Sequence, residues 1–590
     1  MDMQNDINNN FWYFNKDDKN DILDFLYDLH ETFPEYVSEI RRLYDIILLM
    51  KARYITAVFE CNYVDRQYRD TYYAYFSQKF KTYERNCLRI SFFDSDNMRS
   101  PDGQCIDSQL TIRNFSDFGF EIDERLIGTV VLRPLIAGNI GNVLLDTNKL
   151  KVDGFVRTGT YHVMILGRKM SIQAFPYISQ DSESMTCAET VIYNLLRYYG
   201  ERYAEYRSWA PSEILEHIEK ETSERALPSK GIAAVRIAKL LSDAHMYPRI
   251  YRYKKDNEFE QILYSYIEAG IPFIICVPDH AVSCIGHGPV SEPTVSETKQ
   301  LSHYCSITGS FDLSTVKLNK TIIVMNDNKA PYDRVTLNSL VSEYAEKALP
   351  DHKDDDLEKI KEDHLHIIVP VYKRIFMDAA QANSIIKSWF LENNDFLNAI
   401  RSAYCDRSWG RSRQNPFVWR LYLTASRSYR CFKTKETGNS ILRAHYMQCE
   451  LPRFIWVCEI GTIELQKEKL SRVEIVLDAT SSKYSENIGI LSIGFLDHFI
   501  YVDDGVVCCI EDENDPDDNK EELDEADKCD EPKDYDDKED NSPVEDIIDN
   551  FETDVKEEYL HHLFDVLYNI KCKHFEREYC IFRDINRKGV

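Results

Sequence analysis

Between residues 511 and 549 the chain carries 21 acidic side chains against four lysines and shows no apolar periodicity. Such a stretch cannot bury enough apolar surface to offset the entropy lost on ordering it, so it is expected to be disordered and outside every core. Whatever folds must be built on either side of it. Beyond it, residues from Val555 to Ile570 read as a helix and Tyr579-Cys-Ile-Phe-Arg583 as a strand. Folding sequence on both sides makes the acidic segment, residues 511–550, an insertion; residues 551–590 are then expected to complete the domain that precedes it.

The chain has 590 residues, more than one ordinary hydrophobic core organises, and its 43% hydrophobic and 12% aromatic content is that of a folded protein. The pattern predicts a multidomain α+β protein. Residues 1–155 read as an N-terminal α/β domain. Ile22, Phe25, Leu26 and Leu29 share one helical face, Val37, Ile40, Tyr44 and Ile47 another, and strands follow near 87–93 and 128–133. Gly138 and Gly141 mark a turn, since no lysine follows them as a phosphate loop requires. Residues 156–370 form a central domain. Residues 371–510 form a third, mixed α/β domain that opens on a long helix from Phe376 to Ala399 and continues in strands.

The formal net charge of −28 argues against general nucleic-acid binding, which needs lysine and arginine to neutralise phosphate. One stretch runs the other way: from Arg401 to Lys435 there are nine basic residues and one acid, Asp406. It reads either as a solvated face or dock for the chain's own acidic segment, or as a site for an acidic or phosphate-bearing partner. No apolar run is long enough to span a bilayer, the start lacks the design of a signal peptide, and the 16 cysteines follow no framework. Cys276, Cys284 and Cys458 sit in strand-like runs, as core cysteines do in a reducing compartment, so a cytoplasmic location is expected. His280, Cys284 and His287 do not make a zinc site, because strand alternation separates position 287 from the other two. No metal or cofactor is expected.

The chemistry is concentrated between Phe175 and Gly200. This stretch reads as a short strand, a polar turn and a helix whose apolar residues Ala188, Val191, Ile192, Leu195, Leu196 and Tyr199 fall on one face. Thr186 and Glu189 form a capping-box pattern that places Cys187 at the first helical position, where the helix dipole favours the thiolate. A cysteine nucleophile also needs a base, a group to orient the base, and donors for an oxyanion. His280 opens a strand after a bend, Asp327 follows the strand at 321–325, and Gln180 precedes the helix. Asn326 is an alternative to Asp327 as the orienting group.

These residues resemble a known family. Phe-Pro-Tyr-Ile-Ser-Gln180, Cys187, Leu-Leu-Arg-Tyr-Tyr-Gly200, then Gly270-Ile-Pro, His280-Ala-Val, Ile-Gly and Val-Met-Asn-Asp327 are similar to the papain-like cysteine peptidases of the bacterial bacteriocin-leader-processing branch. The likeness covers roughly residues 160–340. It implies a papain-like central domain, a triad of Cys187, His280 and Asp327, and Gln180 at the oxyanion hole. The implied activity is a cysteine peptidase, or a related amide or isopeptide hydrolase, acting on a protein or peptide. Two positions depart from the family: Ala188 stands where glycine is common, and Gln180 precedes Cys187 by one residue more than is frequent there. A second reading is a catalytically silent papain-like scaffold in a regulatory complex.

Overall fold

The computed structural model describes residues 10–96, 115, 121–221, 232–255, 258–289, 321–349, 357–391, 417–437, 440–462, 470–471, 473–481, 489–495, 498–503, 506–511 and 579–580. The acidic stretch beyond Glu511, residues 401–416 of the basic stretch, and the helix expected at 555–570 lie outside them. The protein is a mixed α+β chain of several sheets. Its described residues fall into two compact units, one up to Lys373 and one from Arg374 onward.

The first unit begins with a five-stranded antiparallel sheet in chain order: β1 (Phe11–Asn15), β2 (Tyr54–Tyr63), β3 (Cys87–Asp94), β4 (Leu126–Leu132) and β5 (Ile140–Leu145). Helices Lys19–Thr32 and Ile40–Leu48 connect β1 to β2, and their buried faces are Ile22, Phe25, Leu26 and Leu29, then Leu43, Ile46 and Ile47. Asp18 caps the first helix by accepting from the Asn20 N–H at 2.9 Å.

Short strand β6 (Phe155–Val156) and a hairpin of β7 (Gly159–Ile165) and β8 (Arg168–Ala174) lead to the helix Cys187–Arg202. A second antiparallel sheet follows, built from β9 (Tyr247–Arg252), β10 (Phe273–Val277), β11 (His280–His287), β12 (Ile322–Met325), β13 (Asp333–Val335) and β14 (His366–Val371). Its order is β13-β12-β11-β10-β14-β9, with β6 pairing the far end of β11. Every residue of β11 is buried, because helix Cys187–Arg202 and helix Glu258–Glu268 both pack against this strand.

The boundary read at residue 155 falls inside this unit. One continuous core joins Leu43, Ile46 and Ile47 of the early helix to Ile192 and Leu195 of the Cys187 helix and to Ile274, Ile323 and Ile368 of the second sheet. Residues 10–150 and 156–370 therefore share this core.

The second unit holds a six-stranded antiparallel sheet in the order β15-β16-β18-β19-β20-β21, formed by β15 (Phe417–Ala425), β16 (Phe454–Thr462), β18 (Val473–Asp478), β19 (Ile490–Phe495), β20 (His498–Asp503) and β21 (Val506–Glu511). Beside it β17 (Leu470–Ser471) pairs with β22 (Tyr579–Cys580), so the chain returns to this unit after the acidic segment. The helix expected from Phe376 begins later, at Ala379–Ile386. The Phe376 and Met377 N–H groups bond instead to the Ala479 carbonyl, and Asp378 with Gln381 makes the capping box that starts the helix. A π-helical turn, Lys387–Leu391, follows.

Candidate active site

Thr186 sits in extended backbone immediately before the Cys187–Arg202 helix, and its N–H donates to the Glu189 carboxylate at 3.2 Å while its side chain accepts from the Glu189 N–H. Cys187 is thus the first helical residue. The loop before it is organised by Asp181, whose Oδ1 accepts from the N–H groups of Glu183 (3.0 Å), Ser184 (2.7 Å) and Met185 (2.8 Å), and whose Oδ2 accepts from the Ser184 hydroxyl at 2.5 Å. Ser182 takes a left-handed φ of 62° to close this turn.

His280 reaches the site by a different device. The strands β10 and β11 are joined by the two residues Pro278 and Asp279, with Val277 opposite His280. Proline presets the first turn position, and Asp279 accepts the left-handed conformation at the second, with φ 53°. Met325 pairs with Ser283, so the next residues of the chain, Asn326 and Asp327, run back alongside the start of β11. The register therefore delivers His280, Asn326 and Asp327 to one place.

The His280 ring is buried and lies flat on Tyr344, with centroids 4.1 Å apart and planes 9° from parallel. Its Nε2 makes a hydrogen bond with Asn326 Oδ1 at 3.2 Å, and Asp327 Oδ1 stands 3.3 Å from the same nitrogen. Asn326 Oδ1 also accepts from the Tyr344 hydroxyl and from the Asn328 N–H, each at 3.1 Å. Among the described residues neither Asp327 carboxyl oxygen has a hydrogen-bond partner, although the residue is 2% exposed. Both orienting groups considered from the sequence are present, and the hydrogen bond runs to Asn326.

Burial dominates the protonation of all three groups. It pushes the Cys187 thiol up to about 12, and the Asp327 and Glu189 charges add to the effect; a hydrogen bond from the Ala281 backbone opposes it. Burial lowers His280 to about 4 against the supporting Asn326 hydrogen bond, and it raises Asp327 to about 7 against the Arg42 charge. Burial thus opposes the thiolate that the helix dipole favours. Among the described residues no hydrogen bond joins the thiol to the His280 ring.

Gln180 lies at the edge of the site, where its side-chain amide donates to Asn328 Oδ1 at 2.6 Å. Its backbone is held by a close approach. Gly138 takes φ 63°, and a Cβ there would stand 1.9 Å from the Gln180 carbonyl oxygen, so only glycine fits this turn. Fully buried Arg133 donates to the neighbouring Ser179 carbonyl at 2.9 Å.

Three contributors were not visible in the sequence. Tyr344 comes from helix Leu337–Ala348, Tyr177 donates to the Lys329 carbonyl at 2.5 Å, and Arg42 reaches the Asp327 and Asn328 carbonyls from the early helix. Next to them a cavity of about 850 Å³ is lined by Arg41, Arg42, Lys151, Asn328, Lys329 and Arg334, among others.

Arg420 and Lys433, two basic residues of the stretch from Arg401 to Lys435, are buried and paired with Glu459 and Glu474 in the second unit, so they are lost to any surface patch; Arg427 and Lys435 are exposed. No group of metal-ligating side chains occurs among the described residues, and none of their helices is long and apolar enough to cross a membrane. Comparison with family models, curated proteins and solved structures returned no match for this chain.

Proposed function

We propose that the chain is a cysteine peptidase, or a related amide or isopeptide hydrolase, with a papain-like central domain in a multidomain, cytoplasmic protein, acting through a thioester acyl-enzyme. The observation that carries this reading is the setting of His280: a buried imidazole hydrogen-bonded at Nε2 to Asn326, with Asp327 Oδ1 3.3 Å from the same nitrogen, stacked on Tyr344, and opening the strand against which the Cys187 helix packs. Cys187 attacks the carbonyl carbon as His280 takes the thiol proton. The S–C bond forms, His280 returns the proton to the leaving nitrogen as the C–N bond breaks, and water then releases the acyl group with His280 as base. The Cys187 N–H at the helix start is one oxyanion donor. The Gln180 amide becomes the second once it leaves Asn328.

Because burial disfavours the thiolate, deprotonation of Cys187 accompanies attack rather than preceding it. That same burial favours the second reading, a catalytically silent scaffold. The two separate on labelling with a small thiol-reactive acyl probe. A hydrolase labels Cys187 faster than exposed Cys61 and Cys431, and His280→Ala abolishes the difference. Equal labelling of all three, unchanged in His280→Ala, leaves the scaffold. Comparing cell proteomes that hold the wild type or Cys187→Ala, by new chain ends or retained conjugates, then identifies the substrate.

A further inference from the structure

The turn that carries Asn326 and Asp327, the two side chains beside His280 Nε2, is gripped through its own backbone. Arg42 Nη1 donates to the Asp327 carbonyl at 2.9 Å, and Nη2 donates to the Asn328 carbonyl at 3.3 Å. Glu39, one helical turn earlier, pairs with Nη2 at 3.2 Å and aims the guanidinium. The helix that carries Arg42 is itself immobilised, since Leu43, Ile46 and Ile47 are each no more than 1% exposed. Tyr177 takes the next carbonyl of the turn, that of Lys329, and the Lys329 N–H closes the turn on the Asn326 carbonyl at 3.0 Å. With its carbonyls held in this way, the turn has little freedom to move the Asn326 and Asp327 side chains relative to His280. A planar guanidinium suits the task because one rigid fork satisfies two neighbouring acceptors.

We propose that Arg42 is a positioning residue of this centre: by holding the Asp327 and Asn328 carbonyls it fixes the side chains that orient His280. The inference rests on the hydrolase reading and deepens it. Arg42 touches no reacting group and acts only through the turn. Its positive charge also opposes the burial that keeps Asp327 protonated, so removing it alters the ionisation beside His280 as well as its geometry.

The test measures labelling of Cys187 by a small vinyl sulfone over the range in which histidine titrates, using the full chain as wild type, Arg42→Ala, Arg42→Lys and His280→Ala. Addition forms the S–C bond and delivers the thiol proton, through His280, to the carbon next to the sulfone. Arg42→Ala is expected to label about 100-fold more slowly, the scale of a small misplacement of a catalytic group, with its pH profile displaced. Arg42→Lys keeps the charge but gives up the fork, and it is expected to remain slow. Methylguanidinium, which can enter through the cavity that Arg42 lines, restores Arg42→Ala and leaves His280→Ala unchanged. Where Arg42→Ala does not fold, Arg42→Lys decides on the same readouts. Wild-type labelling with a wild-type pH profile in either folded Arg42 variant overturns the proposal. Slow labelling of His280→Ala beside that result removes only the role of Arg42, whereas His280→Ala labelling as fast as the wild type removes the hydrolase reading itself.

Discussion

Burial, reinforced by the Asp327 charge, pushes the Cys187 thiol up to about 12 and so disfavours the thiolate at neutral pH. Simple alkylation, which needs the thiolate, should therefore rise steadily with pH and show no plateau below about pH 8.5, the ordinary cysteine value. A plateau from mildly acidic pH, measured by iodoacetamide incorporation at Cys187, would mean a preformed thiolate–imidazolium pair instead. Asp327 and His280 leave opposite marks on stability. The folded-state pKa of Asp327 is raised from 3.8 to about 7, so its contribution is full below 3.8 and is lost as pH rises through about 7. That of His280 is lowered from 6.5 to about 4, so the folded state is disfavoured as pH falls from 6.5 toward 4. Asp327→Asn should accordingly gain stability over the wild type as pH climbs toward 7, read as the difference between their melting temperatures; a constant difference across pH would show that Asp327 titrates normally. Residue by residue, the capping pair Thr186 and Glu189 was legible because its spacing is local. The nearness of His280 to Asn326 and Asp327 was readable from strand ends. Arg42 and Tyr344 were not, since their roles depend on long-range packing that leaves no periodic signal.

At the scale of elements, the bend between Gln180 and Cys187 depends on one carboxylate. Asp181→Ala removes the acceptor of three backbone N–H groups and a hydroxyl. It should cost about 2–3 kcal/mol by chemical denaturation, as expected for bonds to a charged group left without their partner; a loss below about 0.5 kcal/mol would show that the bend holds without it. Thr186→Ala, which undoes the helix cap, should cost about 1 kcal/mol by the same measurement. Helices with a clear apolar stripe, such as Lys19–Thr32 and Cys187–Arg202, were visible in the sequence. Strand β9 was not: four of its six side chains are exposed and none is buried, so neither alternation nor an apolar run announces it. The displaced start of helix Ala379–Ile386 has a local cause, because Asp378 and Gln381 form a cap that competes with the apolar pattern upstream.

For the whole molecule, the decisive feature of the first unit is the large core shared by residues before and after 155. A fragment of residues 156–373 lacks the partners that cover Ile192, Leu195 and Ile323, so it is predicted not to fold. A cooperative thermal transition in that fragment, followed by circular dichroism, would contradict this. The domain boundary at 155 was drawn because strand and helix patterns there resemble those of a self-contained unit; pattern alone does not say which apolar faces meet. In the second unit the buried line from Arg420 to Glu459 on adjacent strands, with Lys433 and Tyr429 on Glu474, is equally a product of register and was read from the sequence as surface charge. Glu474→Gln leaves Lys433 buried without its counter-charge and should cost about 3–5 kcal/mol, measured by denaturant unfolding of the full chain.

The contact between Arg42 and the Asp327 carbonyl joins residues 285 positions apart. A ribosome adding about 5–20 residues each second makes Arg42 some fifteen to sixty seconds before the turn it holds. Cys187 is synthesised between the two, on a chain that still lacks His280 and the turn that orients it. Until the ribosome has passed Asn328, the nascent polypeptide carries Cys187 without the turn that meets both His280 and Arg42, so elongation itself acts as a clock that delays assembly of this cluster.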